Sequence, residues 1–267
     1  MDEMSWLQAI LIAIVEGLTE FLPVSSTGHM IIAQKMLNVP NSEFVKAFTV
    51  IIQFGAILSV LVLYSKRFLQ SVDFYLKLLI AFIPAAIFGF LFSDKIDMML
   101  ESVTVVATML ILGGILMLFV DKWFSKVADN QAITNKRALI IGLAQCVAMI
   151  PGVSRSMATI VGGMALKLDR KNAAEFSFFL AVPTMFAASA YKLLKLFMNP
   201  ESKAILMDNI STLIIGNVVA FIVAILAIRF FIGFISKYGF KAFGYYRIVV
   251  GVIIWVLILA GYDLSII

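Results

Sequence analysis

Long apolar runs alternate with short polar loops along the whole chain. Six stretches carry no charged residue: residues 47–65, 78–92, 102–120, 176–191, 209–228 and 248–262. At a helical rise of about 1.5 Å per residue, each can cross a hydrocarbon core about 30 Å thick when charged residues at its ends reach the headgroups. The pattern therefore predicts six transmembrane helices.

Two further apolar segments, residues 4–37 and 137–167, are each interrupted by a turn-forming cluster that is rich in hydroxyl side chains. The clusters lie at residues 23–28 and 151–156. About eleven residues follow each break, in 27–37 and 156–166, and as a helix they reach roughly 16 Å, which is half-way across the bilayer. We therefore predict two re-entrant helical hairpins.

The distribution of Lys and Arg indicates how these segments run. If each broken segment crossed once, the basic residues other than Arg155 would divide ten against ten between the two faces, whereas a return path divides them fourteen against six. Because cytoplasmic loops are enriched in Lys and Arg, the return path is favoured and both termini are predicted to lie outside. Only Glu16, Glu20 and Arg155 then remain as charges within the membrane.

A weak internal repeat supports the same arrangement. A shift of 128 residues places Pro23 on Pro151 and Ser26 on Ser154, and each half, 1–128 and 129–267, holds one broken hairpin and three spans. An odd number of spans inverts the second half, so the two broken loops are expected to meet near the midplane. The predicted fold is a single all-α membrane domain of residues 1–267, built as an inverted repeat.

Composition agrees with this class and excludes others. With 62% hydrophobic and 14% charged residues, the chain has too little polar surface for a soluble globule of 267 residues. One cysteine excludes an intrachain disulfide, and one histidine excludes chemistry that needs two. The net charge of +5 comes from basic residues that stand singly or in pairs, so we expect no nucleic-acid partner. The acidic start without a cleavage site predicts no removed signal peptide.

The three charges within the membrane are the first candidates for chemistry. Glu16 and Glu20 lie four apart and share one helical face, and Arg155 is the only charge between residues 138 and 166. Each costs about 2.5–3.5 kcal/mol at bilayer depth, so they should pair with one another, with a metal or with a charged ligand. A purely structural Glu20–Arg155 ion pair is one interpretation. The other is a site in which the guanidinium binds phosphate and the carboxylates hold a divalent cation or act as a base.

The neighbouring hydroxyl groups and the single histidine extend this hypothesis. Ser25, Ser26 and Thr27 could supply a nucleophile or phosphate ligands. His29 lies three residues after Ser26, on the first turn of the second arm if the helix starts near Ser26. A histidine in this setting can transfer protons, although a lone histidine can also be a satisfied core residue. We predict the catalytic or proton-transfer role.

Several long motifs resemble the undecaprenyl-diphosphate phosphatase family that is linked to bacitracin resistance. They are residues 16–29 (EGLTEFLPVSSTGH), 52–56 (IQFGA), 151–156 (PGVSRS), 175–183 (EFSFFLAVP) and 246–247 (YR), which together span most of the chain. The resemblance implies a hydrolase of the bacterial plasma membrane that converts undecaprenyl diphosphate to undecaprenyl phosphate and inorganic phosphate. It further implies a role in peptidoglycan synthesis, a magnesium or calcium ion, an active site open to the outer side, and competition with bacitracin for the substrate.

Carried over by position, the resemblance assigns roles to individual residues. Its acidic motif falls on Glu16 and Glu20, its serine nucleophile on Ser26, its histidine on His29 and its phosphate-binding arginine on Arg155. Hydroxyl positions of its second motif fall on Ser154, Ser156 and Thr159. Met157 stands where glycine is expected, which we interpret as a change of packing. The attacking group is left open between Ser26, His29 and water, and a homodimer is also left open.

A transporter is the alternative function. Inverted repeats with broken helices at the midplane are typical of transporters, so the chain could instead be a lipid-phosphate flippase or an ion-coupled transporter. A purely structural subunit would leave Glu16, Glu20 and Arg155 without a role. The grouping of a nucleophile, two acids and one cationic group favours the enzyme. In that hypothesis Arg155, the hydroxyls and the helix N-termini hold the diphosphate while Ser26 attacks with Glu20 or His29 as base.

Overall fold

The computed structural model describes residues 4–69, 71–100, 102–262 and 264, and within these residues the secondary structure is helical. In chain order the helices are α1 (Trp6–Thr19), α2 (Ser26–Met36), α3 (Glu43–Leu63), α4 (Ser65–Phe68), α5 (Val72–Leu91), α6 (Ser93–Leu100), α7 (Val103–Trp123), α8 (Asn135–Cys146), α9 (Arg155–Ala165), α10 (Arg170–Met198), α11 (Pro200–Asp208), α12 (Ile210–Tyr238) and α13 (Lys241–Leu259). A short 3₁₀ turn, Val147–Met149, follows α8.

Six of these helices are long and apolar enough to cross a membrane, namely α3, α5, α7, α10, α12 and α13. They overlap the six predicted spans, so the predicted all-α multi-pass class is confirmed. Their ends differ from the uncharged stretches: α10 begins at Arg170 instead of residue 176, and α12 ends at Tyr238 instead of residue 228. A helix continues into charged sequence because long basic side chains extend to the polar region while the backbone bonds are kept.

The two broken segments form pairs of short helices that pack against each other, α1 with α2 and α8 with α9. Each second arm begins just after a serine in the left-handed region, with φ of 70° at Ser25 and 74° at Ser154. The backbones of the two halves therefore correspond at a shift of 129, which pairs Ser26 with Arg155. The predicted shift of 128 pairs Ser26 with Ser154 and is wrong by one residue around the loops. The re-entrant path across the bilayer stays a prediction.

Helices of one half pack against helices of the other half, so the two halves do not form separate bodies. α1 lies on α12 and, in the matching contact, α8 lies on α5, while α3 packs on α10 and α7 on α13. Glycines allow the first arms to approach closely. A Cβ on Gly17 would lie 2.8 Å from the Ala220 carbonyl oxygen, and one on Gly142 would meet the Ala81 carbonyl. The broken hairpins are thus held by spans of the opposite half.

We expect Gly142→Ala to destabilise the protein by about 1–3 kcal/mol, because the added methyl group meets backbone that cannot rotate away. Gly233→Ala is the matched control, since a Cβ there has no neighbour within 4 Å among the described residues. It should be neutral or stabilising by up to about 1 kcal/mol through helix propensity. Thermal unfolding of the purified variants in detergent measures both, and equal midpoints would contradict the close α8–α5 contact.

Candidate active site

A buried arginine, which belongs to the motif at residues 246–247 but received no predicted role, joins the two broken loops. Arg247 on α13 is fully buried, and its guanidinium donates to five backbone carbonyl groups. The acceptors are Pro23 at 3.1 Å and Val153 at 3.2 Å from Nη1, Gly152 at 2.8 Å and Met109 at 3.1 Å from Nη2, and Leu110 at 3.4 Å from Nε. One side chain therefore fixes the first loop, the second loop and α7 relative to one another.

The expectation that only three charges lie within the membrane is consequently wrong. Arg247 lies inside the candidate span α13, and the sequence count had assigned it to the cytoplasmic face because the uncharged stretch begins only at residue 248. The sequence does carry a signal for this position, because Arg247 is the only charged residue between Lys241 and residue 262. A buried guanidinium is stable where its donors all meet acceptors, and here carbonyl oxygens take the place of a carboxylate.

Packing around the guanidinium explains two further residues. A Cβ on Gly113 would meet the Arg247 guanidinium and would lie 3.0 Å from the sulfur of Met157. Met157 itself is buried in the main hydrophobic cluster. The methionine at the expected glycine position therefore fills space beside Gly113 and Arg247, in agreement with a change of packing.

A second contact ties the two loops directly. The hydroxyl of Ser156 is fully buried and donates to the Phe21 carbonyl at 2.7 Å. The ring of Phe21 lies 5.8 Å from the Arg155 guanidinium and packs edge-on against Phe178. These contacts bring the start of α9 against the end of the first arm, where the acidic residues stand.

Three of the predicted site residues meet at this junction. Ser26, the first residue of α2, donates its hydroxyl hydrogen to Oε2 of Glu20 at 2.8 Å. The other oxygen of Glu20 lies 3.3 Å from Nη2 of Arg155. Arg155 also donates through Nη1 to the Ser177 carbonyl at 3.0 Å, and its buried Nε has no partner among the described residues. Two successive contacts thus connect the hydroxyl of Ser26, the carboxylate of Glu20 and the guanidinium of Arg155.

Glu16 lies near Glu20 and Arg155 and is 2% exposed. It has Glu20 and Arg155 as charged neighbours, and its buried Oε1 has no hydrogen-bond partner among the described residues. Two neighbouring carboxylates with a free oxygen are a donor set that magnesium and calcium accept. Glu16 and Glu20 therefore fit a divalent cation, although no group of three or more acidic, histidine or cysteine residues occurs in the described chain.

The hydroxyl groups predicted for the second loop, those of Ser154, Ser156 and Thr159, have partners within the protein. Ser154 caps α9 by accepting from the Met157 amide at 3.3 Å. Thr159 is fully buried, donates to the Arg155 carbonyl at 2.9 Å and lies 2.6 Å from the Ser177 hydroxyl. Together with Ser156, they position the backbone that carries Arg155. Ser177 is a further contributor that sequence reasoning missed.

The two second arms differ at their N-termini. The side chain of Ser25 forms no capping hydrogen bond to α2, whereas Ser154 caps α9. The amide of Gly28, which corresponds to the capped amide of Met157, therefore lacks this partner, and the amides of Ser26 and Thr27 form no hydrogen bond among the described residues. Unpaired amides at a helix start attract anions, so the first loop is the one suited to a phosphate group.

His29 lies on the first turn of α2, as predicted, and its side-chain hydrogen bonds go to residues other than Ser26. Its Nδ1 is 2.8 Å from the Ser25 carbonyl oxygen, and its Nε2 is 2.6 Å from the hydroxyl of Tyr246. The planes of the two rings are nearly parallel, 11° apart, with centroids 5.4 Å apart. The hydrogen-bond partner of Ser26 is Glu20, not His29.

Comparison with known proteins identifies close relatives. Residues 9–253 match the family of the bacitracin resistance protein BacA. An undecaprenyl-diphosphatase of Flavobacterium psychrophilum is 59% identical over 94% of this chain and 95% of its own. Those of Porphyromonas gingivalis and Persephonella marina are 57% and 48% identical, over 98% and 96% of this chain and the whole of theirs.

We expect Arg247→Met to loosen both broken loops, because several buried carbonyl groups lose their donor at once. The loss should be on the order of 3 kcal/mol, with faster hydrogen–deuterium exchange at residues 24–26 and 152–155. Arg229→Met on α12 is the matched control because that arginine is exposed. Unchanged exchange in both loops of Arg247→Met would show that the loops do not depend on this side chain.

Proposed function

The chain belongs to the family of the bacitracin resistance protein BacA, and from this membership we infer that it hydrolyses undecaprenyl diphosphate to undecaprenyl phosphate and inorganic phosphate. It is a multi-pass membrane enzyme that acts on a phosphoanhydride bond of a polyprenyl lipid. The product is the lipid carrier of peptidoglycan synthesis. The relatives are named as diphosphatases, and they give no support to the transporter alternative.

The mechanistic proposal rests on one observation, namely that Glu20 contacts both Ser26 and Arg155. The carboxylate of Glu20 accepts the Ser26 hydroxyl hydrogen at 2.8 Å, which is the geometry of a general base and its nucleophile. The 3.3 Å between Glu20 and Arg155 is longer than the 2.7–2.9 Å typical of charge-assisted pairs. A phosphate group can therefore draw the guanidinium toward itself at small cost.

In this proposal the terminal phosphate lies between the N-terminus of α2 and Arg155. The free Nε of Arg155 and the amides of Ser26 and Thr27 donate to its oxygens, where negative charge is greatest in the transition state. Ser26 Oγ forms a bond to phosphorus as its proton passes to Glu20, and the bond to the bridging oxygen breaks. Undecaprenyl phosphate leaves with that electron pair. In the second step water attacks phosphorus, and the bond between phosphorus and Oγ of Ser26 breaks as Glu20 returns its proton to that oxygen. The proton that the water loses passes to solvent, and phosphate leaves with the Ser26 hydroxyl and the Glu20 carboxylate restored.

A divalent cation, magnesium or calcium, is part of the proposal. When bound, it would neutralise charge on the diphosphate. Glu16 and Glu20 would hold it, because the free Oε1 of Glu16 is buried and would otherwise remain without a partner. Such an oxygen costs about 1–3 kcal/mol unless a ligand or proton satisfies it.

The proposal also includes the orientation of the protein in the membrane and the inhibition of the reaction by bacitracin. The excess of Lys and Arg on one set of loops supports two outward-facing termini and a substrate that enters from the outer side. Bacitracin would inhibit by competing for the lipid diphosphate.

We expect the purified protein in detergent to release phosphate from a polyprenyl diphosphate. Ser26→Ala and Arg155→Ala should each lower the rate by about 100-fold or more, because each removes a group that acts on the transferred phosphoryl. Ser211→Ala and Arg229→Ala on α12 are matched controls, since both residues are exposed. An inactive wild-type protein would contradict the function, and a normal rate in Ser26→Ala would remove Ser26 as the nucleophile.

We expect chelation to abolish the activity and added magnesium or calcium to restore it. Glu16→Gln should need about tenfold more cation for half-maximal rate, because one ligand charge is lost. Calorimetric titration with the cation alone, without substrate, should show the same weakening. Equal cation dependence of Glu16→Gln and the wild type would contradict the assignment of Glu16.

A further inference from the structure

The hydrogen bonds of His29 determine which of its nitrogen atoms carries hydrogen. A backbone carbonyl can only accept, so Nδ1, at 2.8 Å from the Ser25 oxygen, must donate. In a neutral ring Nε2 is then an acceptor, and the hydroxyl of Tyr246, at 2.6 Å, donates to it. The two ring planes are 11° apart, so the imidazole and the phenol are nearly parallel where this hydrogen bond joins their edges.

Both nitrogen atoms are therefore occupied by the protein itself. A nucleophilic or basic imidazole needs a lone pair that faces the substrate or the Ser26 hydroxyl. Here the Nε2 lone pair faces Tyr246, while the Ser26 hydroxyl donates to Glu20. His29 is thus placed to hold a neighbouring group instead of attacking phosphorus.

The group that His29 holds is the peptide directly before the nucleophile. Ser25 has φ of 70°, a left-handed conformation that is unfavourable for residues other than glycine, and its side chain forms no cap hydrogen bond to α2. Such a conformation persists only where the surroundings hold it. Within the same turn the His29 side chain donates to the Ser25 carbonyl, beside the longer bond at 3.4 Å from its own backbone amide. The Ser25–Ser26 peptide sets the direction of the Ser26 side chain.

The first loop is held by α13 at two adjacent positions. Tyr246 acts on the Ser25 carbonyl through His29, and the next residue, Arg247, donates to the Pro23 carbonyl at 3.1 Å. The two supports differ in exposure, because Arg247 is fully buried whereas 46% of Tyr246 is exposed. A substitution at Tyr246 can consequently weaken one support without breaking the core.

We propose that Tyr246 is a positioning residue, which donates to Nε2 of His29 in its Nδ1–H tautomer and through the ring orients the Ser25–Ser26 peptide for attack by Ser26. The proposal rests on the proposed function, since it concerns the same nucleophile. It assigns His29 a positioning role as well, and it removes His29 from the candidates for nucleophile.

The single histidine of the chain makes the tautomer directly measurable. Protein carrying ¹⁵N-labelled histidine and a purification tag without histidine gives the signals of one imidazole ring. In the neutral state of the wild type, we expect a protonated Nδ1 and an unprotonated Nε2. Tyr246→Phe should shift the Nε2 signal, while Tyr245→Phe, on an exposed neighbour, should not. A protonated Nε2 in the neutral ring would overturn the proposal, whether or not the protein is active.

Kinetics test the role in the reaction. Tyr246→Phe keeps the aromatic ring and loses the hydroxyl, so we expect kcat to fall about tenfold with KM within about twofold, as for residues that orient a catalytic group. In a His29→Asn background the same change should have no further effect, because the route through the ring is already lost. Additive losses in the double variant would show that Tyr246 acts independently of His29.

Two substitutions at His29 separate positioning from nucleophilic attack. Asn places an amide N–H near the position of Nδ1 and can still donate to Ser25, whereas Gln reaches only the position of Nε2. We expect His29→Asn to retain about tenfold more activity than His29→Gln. Equal inactivity of both variants, or phosphate trapped on His29 by rapid quench, would overturn the proposal. Absence of phosphate release by the wild type would instead contradict the proposed function.

Discussion

The guanidinium of Arg247 is the point on which the rest of the structure depends. It is fully buried, and its donors meet carbonyl oxygens of the first broken loop, the second broken loop and α7. Interrupted helices leave carbonyl groups without partners in a region that has little water to satisfy them. One planar cation with five donors satisfies several of them at once, so both interruptions can persist side by side. The candidate site lies where they meet.

The two halves share a backbone plan and differ in side chains, and this difference supplies the chemistry. At the shift of 129, Ser26 corresponds to Arg155 and Glu16 to Gln145. The first half thus brings a hydroxyl and carboxylates, whereas the second brings a guanidinium. Glu16 and Gln145 are both buried and each has one atom without a partner among the described residues. Two loops with similar backbones therefore form a chemically asymmetric site, with carboxylates and a hydroxyl on one side and a guanidinium on the other.

Much of the fold could be predicted because burial in a bilayer imposes long uncharged runs. The six spans and the breaks before Ser26 and Arg155 follow from that constraint. The meeting of Glu20, Ser26 and Arg155 could also be anticipated, since isolated charges at membrane depth need partners. The role of Arg247 was not predicted, although the residue belongs to a quoted motif, because it lies just outside an uncharged run and its acceptors are backbone atoms, which leave no trace in the sequence.

The sequence by itself determined the membrane class, the two interruptions and the residue types that cluster there, because hydrophobicity and helix length are local properties. Only the tertiary structure decided which hydroxyl meets which acid, and which nitrogen atoms of His29 are occupied. Those outcomes depend on contacts between residues more than a hundred positions apart, such as His29 with Tyr246 and Glu20 with Arg155. The direction of a hydrogen bond is set by the packing of α13 and α9 against the first loop, and no local pattern encodes it.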